Sequence, residues 1–232
     1  MSSLQNNIAI IPARGGSKRI PGKNIKLFLG KPIIAYSIEM ALNSGLFSEV
    51  MVSTDDAEIA DIAKKYGAKV PFIRSAKNAD DHATTMDVIN EVLGFYKSER
   101  KNFDYACCIY PTAPLATAIH LKEGFEKLKN KNLHSVFPVV AFSYPVWRGL
   151  EIDASGHTKM VWKEYQNSRS QDLKQVYHDA GQWYWFNPKE ITNTLFTEKT
   201  ASVILGEEEA QDIDTTSDWL MAEMKYKMLY NK

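Results

Sequence analysis

The chain lacks acidic residues over its first 38 positions: the first carboxylate is Glu39, and six lysines and arginines precede it. An overall charge excess is also missing, since 28 basic and 28 acidic residues balance. A general nucleic-acid binder carries a net basic charge, so we expect no nucleic-acid partner. Cysteine is scarce as well. Cys107 and Cys108 stand side by side in an apolar run, which gives neither a disulfide framework nor a metal site.

Long hydrophobic runs are absent, as no apolar stretch reaches the roughly 18 residues of a membrane span. The N-terminus does not show the charged-then-apolar pattern of a signal peptide. We therefore expect a cytoplasmic protein with no membrane partner. A chain of 232 residues can bury one sizeable core, and we predict a single domain over residues 1–232.

The basic N-terminal segment contains the first functional pattern. The apolar run 8–11 predicts a buried parallel strand, which breaks at Pro12 into a loop rich in glycine and cations. The Gly-Lys-Ser/Thr of a Walker loop and the spaced glycines of a dinucleotide site are both missing. A flexible surface loop that keeps the protein soluble is one interpretation. The loop follows a buried first strand, however, where open α/β sheets bind ligands, and this favours a polyphosphate ligand.

Strands and helices alternate through the first half of the chain, which predicts an α/β fold with a mainly parallel sheet covered on both faces. Further strands are predicted at residues 50–53, 69–73, 105–110 and 135–140, and helices at about 33–42, 57–66, 85–93 and 116–128. The alternation of strands and helices stops at Phe142, and we assign residues 142–176 to a β-rich flap or interface.

An acidic segment lies near the other end of the chain, where residues 207–218 hold six acids and no base. On an extended backbone Asp212 and Asp214 project to one face, while Ile213 points into the core. Two carboxylates without cations beside them repel unless a divalent ion binds, and their hard oxygens suit Mg²⁺. A helix cap with solvated acids is the alternative interpretation. Because the charges are segregated, we predict that the two ends of the chain converge on one site.

The order Ile-Pro-Ala-Arg-Gly-Gly-Ser-Lys from Ile11, then Ile20-Pro21 and Lys23-Asn24, resembles the signature of the CMP-sugar-acid synthetases (acylneuraminate cytidylyltransferases). The resemblance runs from Ile8 to about Met224. It implies a three-layer Rossmann-like nucleotidyltransferase fold and a homodimer, with residues 142–176 as a dimerisation insertion that reaches the partner's active site. It also implies CTP and a nonulosonic acid as substrates, Mg²⁺ as cofactor, and attack of the sugar C2 hydroxyl on the α-phosphorus with loss of pyrophosphate.

The resemblance assigns roles residue by residue. It implies catalytic roles for Arg14, Lys18 and Lys23, and metal ligation by Asp212 and Asp214. Nucleotide binding is assigned to Ala13, Arg14, Gly15, Gly16, Ser17, Asn24, Arg74, Ala83 and Thr85. Substrate binding is assigned to Tyr110, Thr112, Arg148, His178, Gln182 and Tyr184.

Two segments bear on which sugar acid is used. In the sialic-acid branch the turn at Pro111–Leu115 is flanked by Gln and Arg, whereas here Tyr110 and Ala116 stand at those positions. The segment 177–186 resembles that of the pseudaminic acid cytidylyltransferases. Pseudaminic acid is therefore expected, with legionaminic and sialic acid as alternatives. A sugar-1-phosphate nucleotidyltransferase and a nucleotide-binding module without turnover are the competing functions.

Overall fold

The computed structural model describes residues 6–230 of the chain. Eleven strands form within this range: β1 (Asn7–Pro12), β2 (Leu27–Phe28), β3 (Lys31–Pro32), β4 (Glu49–Ser53), β5 (Tyr105–Ile109), β6 (Ser135–Ala141), β7 (Leu150–Ile152), β8 (Thr158–Met160), β9 (Tyr177–Asp179), β10 (Trp183–Phe186) and β11 (Thr200–Leu205). The five α-helices of this range are α1 (Ile33–Asn43), α2 (Ala57–Lys65), α3 (Thr85–Ser98), α4 (Ala118–Asn130) and α5 (Thr216–Tyr230).

The central sheet has seven strands, in the order β11-β6-β10-β5-β1-β4, with β9 paired to β6. β1 is parallel to β4 and β5, and β6 is parallel to β11. β10 lies antiparallel between β5 and β6, and β9 is antiparallel to β6. Five strands therefore share one direction, and the predicted α/β fold is confirmed as a mixed sheet whose larger part is parallel.

Two apolar clusters cover the two faces of the sheet. Alternate residues of β1 enter different clusters, Ala9 and Ile11 on one face and Ile8 and Ile10 on the other, and all are buried. Side chains of α1, α2 and α4 complete the first cluster, and those of α3 the second. The result is a three-layer arrangement in which β1 is buried on both faces, as its unbroken apolar run indicates.

A third cluster joins the two ends of the chain. Ile20 and Phe28 of the N-terminal segment pack with Ile213, just before α5, and Trp219 within it. The Phe28 ring meets the edge of Trp219 at a centroid distance of 5.6 Å. This packing fixes the basic loop against the acidic segment, and it is the part of the fold that positions the site.

The strand predicted at residues 69–73 is wrong. Only Lys69 pairs with the sheet, through a single parallel bridge to Met51. Lys69 donates its N–H to Val50 and accepts one from Val52, and the chain then leaves the sheet edge. Pro71 explains the end of the pairing because it has no N–H to donate to a ladder.

The segment 142–176 holds a two-stranded sheet of its own, formed by β7 and β8. Both strands are largely exposed. Beside them the Trp147 ring packs against Trp162 at 5.7 Å and Tyr165 at 5.6 Å. Three 3-10 turns, at Val146–Arg148, Lys163–Tyr165 and Ser170–Asp172, occupy more of the segment than this hairpin, so the structure does not bear out a β-rich flap. Among residues 6–230, no helix is long and apolar enough to cross a membrane.

Candidate active site

The basic loop begins where β1 ends, at the carboxyl edge of the parallel strands. Ala13 is buried and donates its N–H to Ser53 at 2.9 Å, which ties the loop to the end of β4. Asn24 is also buried, and its side-chain amide donates to the Arg14 carbonyl at 2.9 Å. Gly22 adopts a φ of +60°, a conformation that favours glycine. These contacts hold the loop cations in place around a common space.

The acidic segment meets this loop directly. The Lys23 ammonium donates to the carbonyl of Ile213 at 2.7 Å and lies 3.5 Å from the Asp214 carboxylate. The Arg19 guanidinium contacts the same carboxylate at 2.8 Å. The structure thus brings together the two ends of the chain. The expectation that Asp214 has no cation beside it is wrong, because the loop places Arg19 and Lys23 next to its carboxylate.

Asp212 and Asp218 have opposite electrostatic environments. Desolvation by the surrounding protein, and then the charge of Asp214, raise the pKa of the Asp212 carboxyl. The Asp218 carboxylate accepts hydrogen bonds from the Thr215 hydroxyl at 2.8 Å and the Thr215 N–H at 2.7 Å, which lower its pKa. It also accepts from the Asp214 N–H at 3.1 Å, so it fixes the backbone that carries Asp214.

A cavity of about 530 Å³ opens between the loop and the acidic segment. Its walls include nine of the predicted site residues: Arg14, Ser17, Lys18, Lys23, Asn24, Tyr110, Thr112, Asp212 and Asp214. Arg19 and Asp81, which no motif assigns, also line it. Arg19 could have been predicted from its place in the same cationic run. Asp81 could not, because it lies 63 residues from its Lys18 partner and no local pattern links the two.

A second cavity of about 260 Å³ adjoins the first, and the two share Pro12, Arg14, Asp81 and Tyr110. Arg74, Ala83 and Thr85 line this second cavity, as do several neighbours. Arg74 is buried, its Nε donates to the Ser53 hydroxyl at 3.0 Å, and burial lowers its pKa.

The predicted substrate residues are spread more widely. Tyr110 and Thr112 line the main cavity, and His178 lines a third cavity of about 320 Å³ that shares Asp212 with it. Gln182 and Tyr184 do not reach these walls; both are buried.

The two buried side chains have partners within the fold. The Gln182 amide donates to the Glu209 carbonyl at 2.6 Å, and the Tyr184 hydroxyl to the Asp179 carboxylate at 2.6 Å. Arg148 is exposed in the segment 142–176. Gly15 and Gly16 belong to the loop, and the Gly15 N–H donates to the Asp55 carboxylate at 3.0 Å. One chain alone therefore assembles the nucleotide side of the predicted site more completely than the sugar side.

The carboxylates fit a divalent cation that is shared with phosphate oxygens. Within residues 6–230 no group of three or more acidic, histidine or cysteine side chains could hold a metal by itself. Asp212 and Asp214 both face the main cavity, and their hard oxygens match the preference of Mg²⁺, which binds through one or two carboxylates together with substrate phosphates. The raised pKa of Asp212 marks a carboxylate whose ionised form such a cation would stabilise.

Together, the fold and the charges of this site define an α/β nucleotidyltransferase. A family model described as cytidylyltransferase matches residues 8–198. The chain is 42% identical to the pseudaminic acid cytidylyltransferase of Campylobacter jejuni over 96% of this chain and 97% of that protein. It is 35% identical to the CMP-N,N'-diacetyllegionaminic acid synthase of Legionella pneumophila, over 93% and 94%. The chain belongs to the cytidylyltransferase family, and the resemblance identified in the sequence is confirmed.

A solved structure agrees at the level of the fold. A CMP:2-keto-3-deoxy-manno-octonic acid synthetase complexed with CTP superposes with a TM-score of 0.69, covering 98% of this chain and 100% of that one at 17% identity. The three-layer nucleotidyltransferase architecture is thereby shown.

Proposed function

We propose that this cytidylyltransferase transfers CMP from CTP to the C2 hydroxyl of a nonulosonic acid, and that the acid is pseudaminic acid. The contact between Lys23 and the Ile213 carbonyl, at 2.7 Å, carries the proposal for the chemistry, because it joins the cationic loop to the carboxylates around one cavity. The choice of sugar is supported by the 42% identity to a pseudaminic acid cytidylyltransferase, against 35% for the legionaminic acid relative.

The loop provides the positive charge that the triphosphate requires. Arg14, Lys18 and Lys23 face the main cavity, where they would hold the β- and γ-phosphates and neutralise charge that builds on the departing pyrophosphate. The C2 hydroxyl then attacks the α-phosphorus in line. Positioning and charge stabilisation account for most of the rate in such transfers.

Asp212 and Asp214 would hold Mg²⁺ beside the α-phosphate. When bound there, the ion would supply charge neutralisation on the phosphate oxygens. The Asp214 carboxylate also ties the acidic segment to the loop, since it is paired with Arg19 at 2.8 Å.

The smaller cavity is proposed to hold the nucleoside. Arg74, Ala83 and Thr85 line it, and Arg14 stands on the wall that it shares with the main cavity. A nucleotide that spans both cavities would place its base near Arg74 and its phosphates near Lys18.

A homodimer formed through residues 142–176, and a cytoplasmic location, belong to the same proposal. Support for the dimer comes from the large apolar side chains exposed in this segment: Tyr144 is 85% exposed, Leu150 63% and Ile152 71%. Surfaces of this kind commonly mark protein–protein contacts.

The test is a pyrophosphate-release assay with CTP, UTP and GTP, each combined with pseudaminic, legionaminic and sialic acid in the presence of Mg²⁺. We expect turnover with CTP, highest with pseudaminic acid, and its loss when the metal is removed by chelation. Equal rates with UTP or GTP would contradict the cytidine assignment. Release that requires a sugar 1-phosphate would favour the competing nucleotidyltransferase class.

A further inference from the structure

Asp81 binds two of the cations that the proposed function assigns to phosphate. The Arg14 guanidinium donates to one oxygen of the Asp81 carboxylate at 2.8 Å, and the Lys18 ammonium donates to the other. Arg14 also donates to the Asp80 carbonyl at 3.0 Å, which holds this loop over the cations. A carboxylate that bridges two cations accepts from the same kinds of donors that bind a phosphate group.

The Asp81 carboxylate has no part in the local turn. The N-cap of α3 is Thr84, which forms a reciprocal capping box with Asp87. The preceding turn is closed by Asp80, whose carboxylate accepts the N–H groups of His82 and Ala83 at 2.8 and 2.7 Å. In the part of the chain that the structure describes, the hydrogen bonds of the Asp81 carboxylate are those to Arg14 and Lys18.

Asp81 also stands on the wall between the two cavities of the site. It lines both the main cavity and the smaller one, as does its partner Arg14. A ligand that extends from one cavity into the other must pass this ion pair. Asp81 remains 44% exposed and the Lys18 side chain 79%, so water and salt reach the pair and it can open.

We propose that Asp81 is an internal anion that occupies the phosphate-binding cations when no ligand is present, and that the polyphosphate displaces it. The inference rests on the proposed function, because it takes Arg14 and Lys18 as ligands of the polyphosphate. Binding of pyrophosphate then exchanges one anion for another and is weaker than binding to unpaired cations. The same exchange speeds product release, since Asp81 returns to the cations as pyrophosphate departs.

The experiment compares Asp81→Asn with the wild type in titration calorimetry with inorganic pyrophosphate at about 0.1 M salt. Loss of the Asp81 charge should lower the pyrophosphate dissociation constant about three- to tenfold. This is the range expected when the exposed ion pairs to Arg14 and Lys18 no longer have to be broken. Asp104→Asn is the matched control, because it removes the same charge from an exposed position just before β5, at the amino ends of the parallel strands and so opposite the site. It should leave the dissociation constant within about twofold. Asp81→Glu keeps the charge and should bind more weakly than Asp81→Asn.

The direction in which Asp81→Asn changes the pyrophosphate dissociation constant distinguishes a competing anion from a positioning residue. If Asp81 merely orients Arg14 and Lys18, its loss disorders them and pyrophosphate binds more weakly; that result, or an unchanged constant, overturns the inference. An enzyme that forms product from CTP but shows no tightening in Asp81→Asn refutes this role and leaves the proposed function intact. If neither the wild type nor the variant binds pyrophosphate, this inference fails, whereas the proposed function fails only if no pyrophosphate is released from CTP.

Discussion

At the scale of single residues, Lys23 links the basic loop directly to the acidic segment. Its ammonium bonds to the Ile213 carbonyl and lies 3.5 Å from Asp214. We expect Lys23→Ala to lower kcat by about 10²–10³, as for the loss of one preorganised electrostatic contact. Steady-state pyrophosphate release measures the change.

Lys26→Ala is the control for this prediction. Lys26 belongs to the same basic segment, but its ammonium lies 4.8 Å from the Trp219 ring centroid and does not line the main cavity. Its replacement should leave turnover close to that of the wild type. Near-normal turnover of Lys23→Ala, or an equal loss in both variants, would remove Lys23 from its assigned role.

Asp212 gives a prediction about stability and metal binding. The pKa of Asp212 is higher in the folded protein than in the unfolded chain. The stability that this group contributes is therefore fully present below the ordinary carboxyl pKa and is lost as the pH rises through the raised pKa. Near neutral pH the ionised group therefore destabilises the metal-free protein. We expect Asp212→Asn to raise the Tm in chelator by about 2 °C and to abolish the further rise that Mg²⁺ with CTP produces in the wild type. Scanning calorimetry measures both.

Asp218 is the opposite case and serves as the control. Hydrogen bonds from Thr215 lower its pKa, so its contribution is present above the ordinary carboxyl value and is lost as the pH falls through the lowered one. Asp218→Asn should therefore lower the Tm at neutral pH, where Asp212→Asn raises it. Shifts of the same sign in both variants would contradict the electrostatic account of the acidic segment.

At the scale of secondary-structure elements, the packing of α4 against β10 depends on Gly124. A Cβ atom built there would lie 2.6 Å from Cζ3 of Trp183 and closer still to Cη2. Gly124→Ala must push α4 away from the sheet, and we expect a loss of about 1–3 kcal/mol in the free energy of unfolding. Urea denaturation of the variant and the wild type measures it.

Gly94 in α3 offers a matched helical control, because nothing lies within 4 Å of a Cβ atom built there. Gly94→Ala should stabilise the protein by about 0.5–1 kcal/mol, since alanine loses less conformational freedom in a helix. Equal effects of the two substitutions would show that α4 packs less closely on Trp183 than the structure indicates.

Elements with local signals could be predicted from the sequence. The strand β1 follows from its apolar run, and α1 and its end from periodicity and Gly45. The pairing of β10 between β5 and β6 could not, because strand partners distant in sequence leave no local pattern. The candidate site likewise has a part that local sequence predicts and a part that it does not. Its cationic loop is a continuous motif, whereas the ion pairs of Asp81 and Asp214 depend on the tertiary fold.

At the scale of the whole molecule, the proposed homodimer predicts that the exposed hairpin of β7 and β8 lies in the subunit interface. Leu150 and Ile152 lie two apart on β7, so they project from one face of the exposed hairpin. We expect the double variant Leu150→Asp with Ile152→Asp to be a monomer in analytical ultracentrifugation, because buried charges disfavour an interface. Ile119→Asp, at a 78% exposed position on α4, should remain dimeric. A double variant that sediments as a dimer would place the interface elsewhere.

Subunit mixing tests whether Arg148 serves the partner's site. Arg148 is exposed and does not line the main cavity of its own chain, so we expect it to act across the interface of the proposed homodimer. Lys23→Ala and Arg148→Ala homodimers should each be nearly inactive. When the two are unfolded together and refolded at equal amounts, half of the dimers are mixed, and each mixed dimer holds one intact site. Turnover should then recover to about one quarter of the wild type. Recovery fails if Arg148 acts within its own chain, because every site then carries one of the two substitutions.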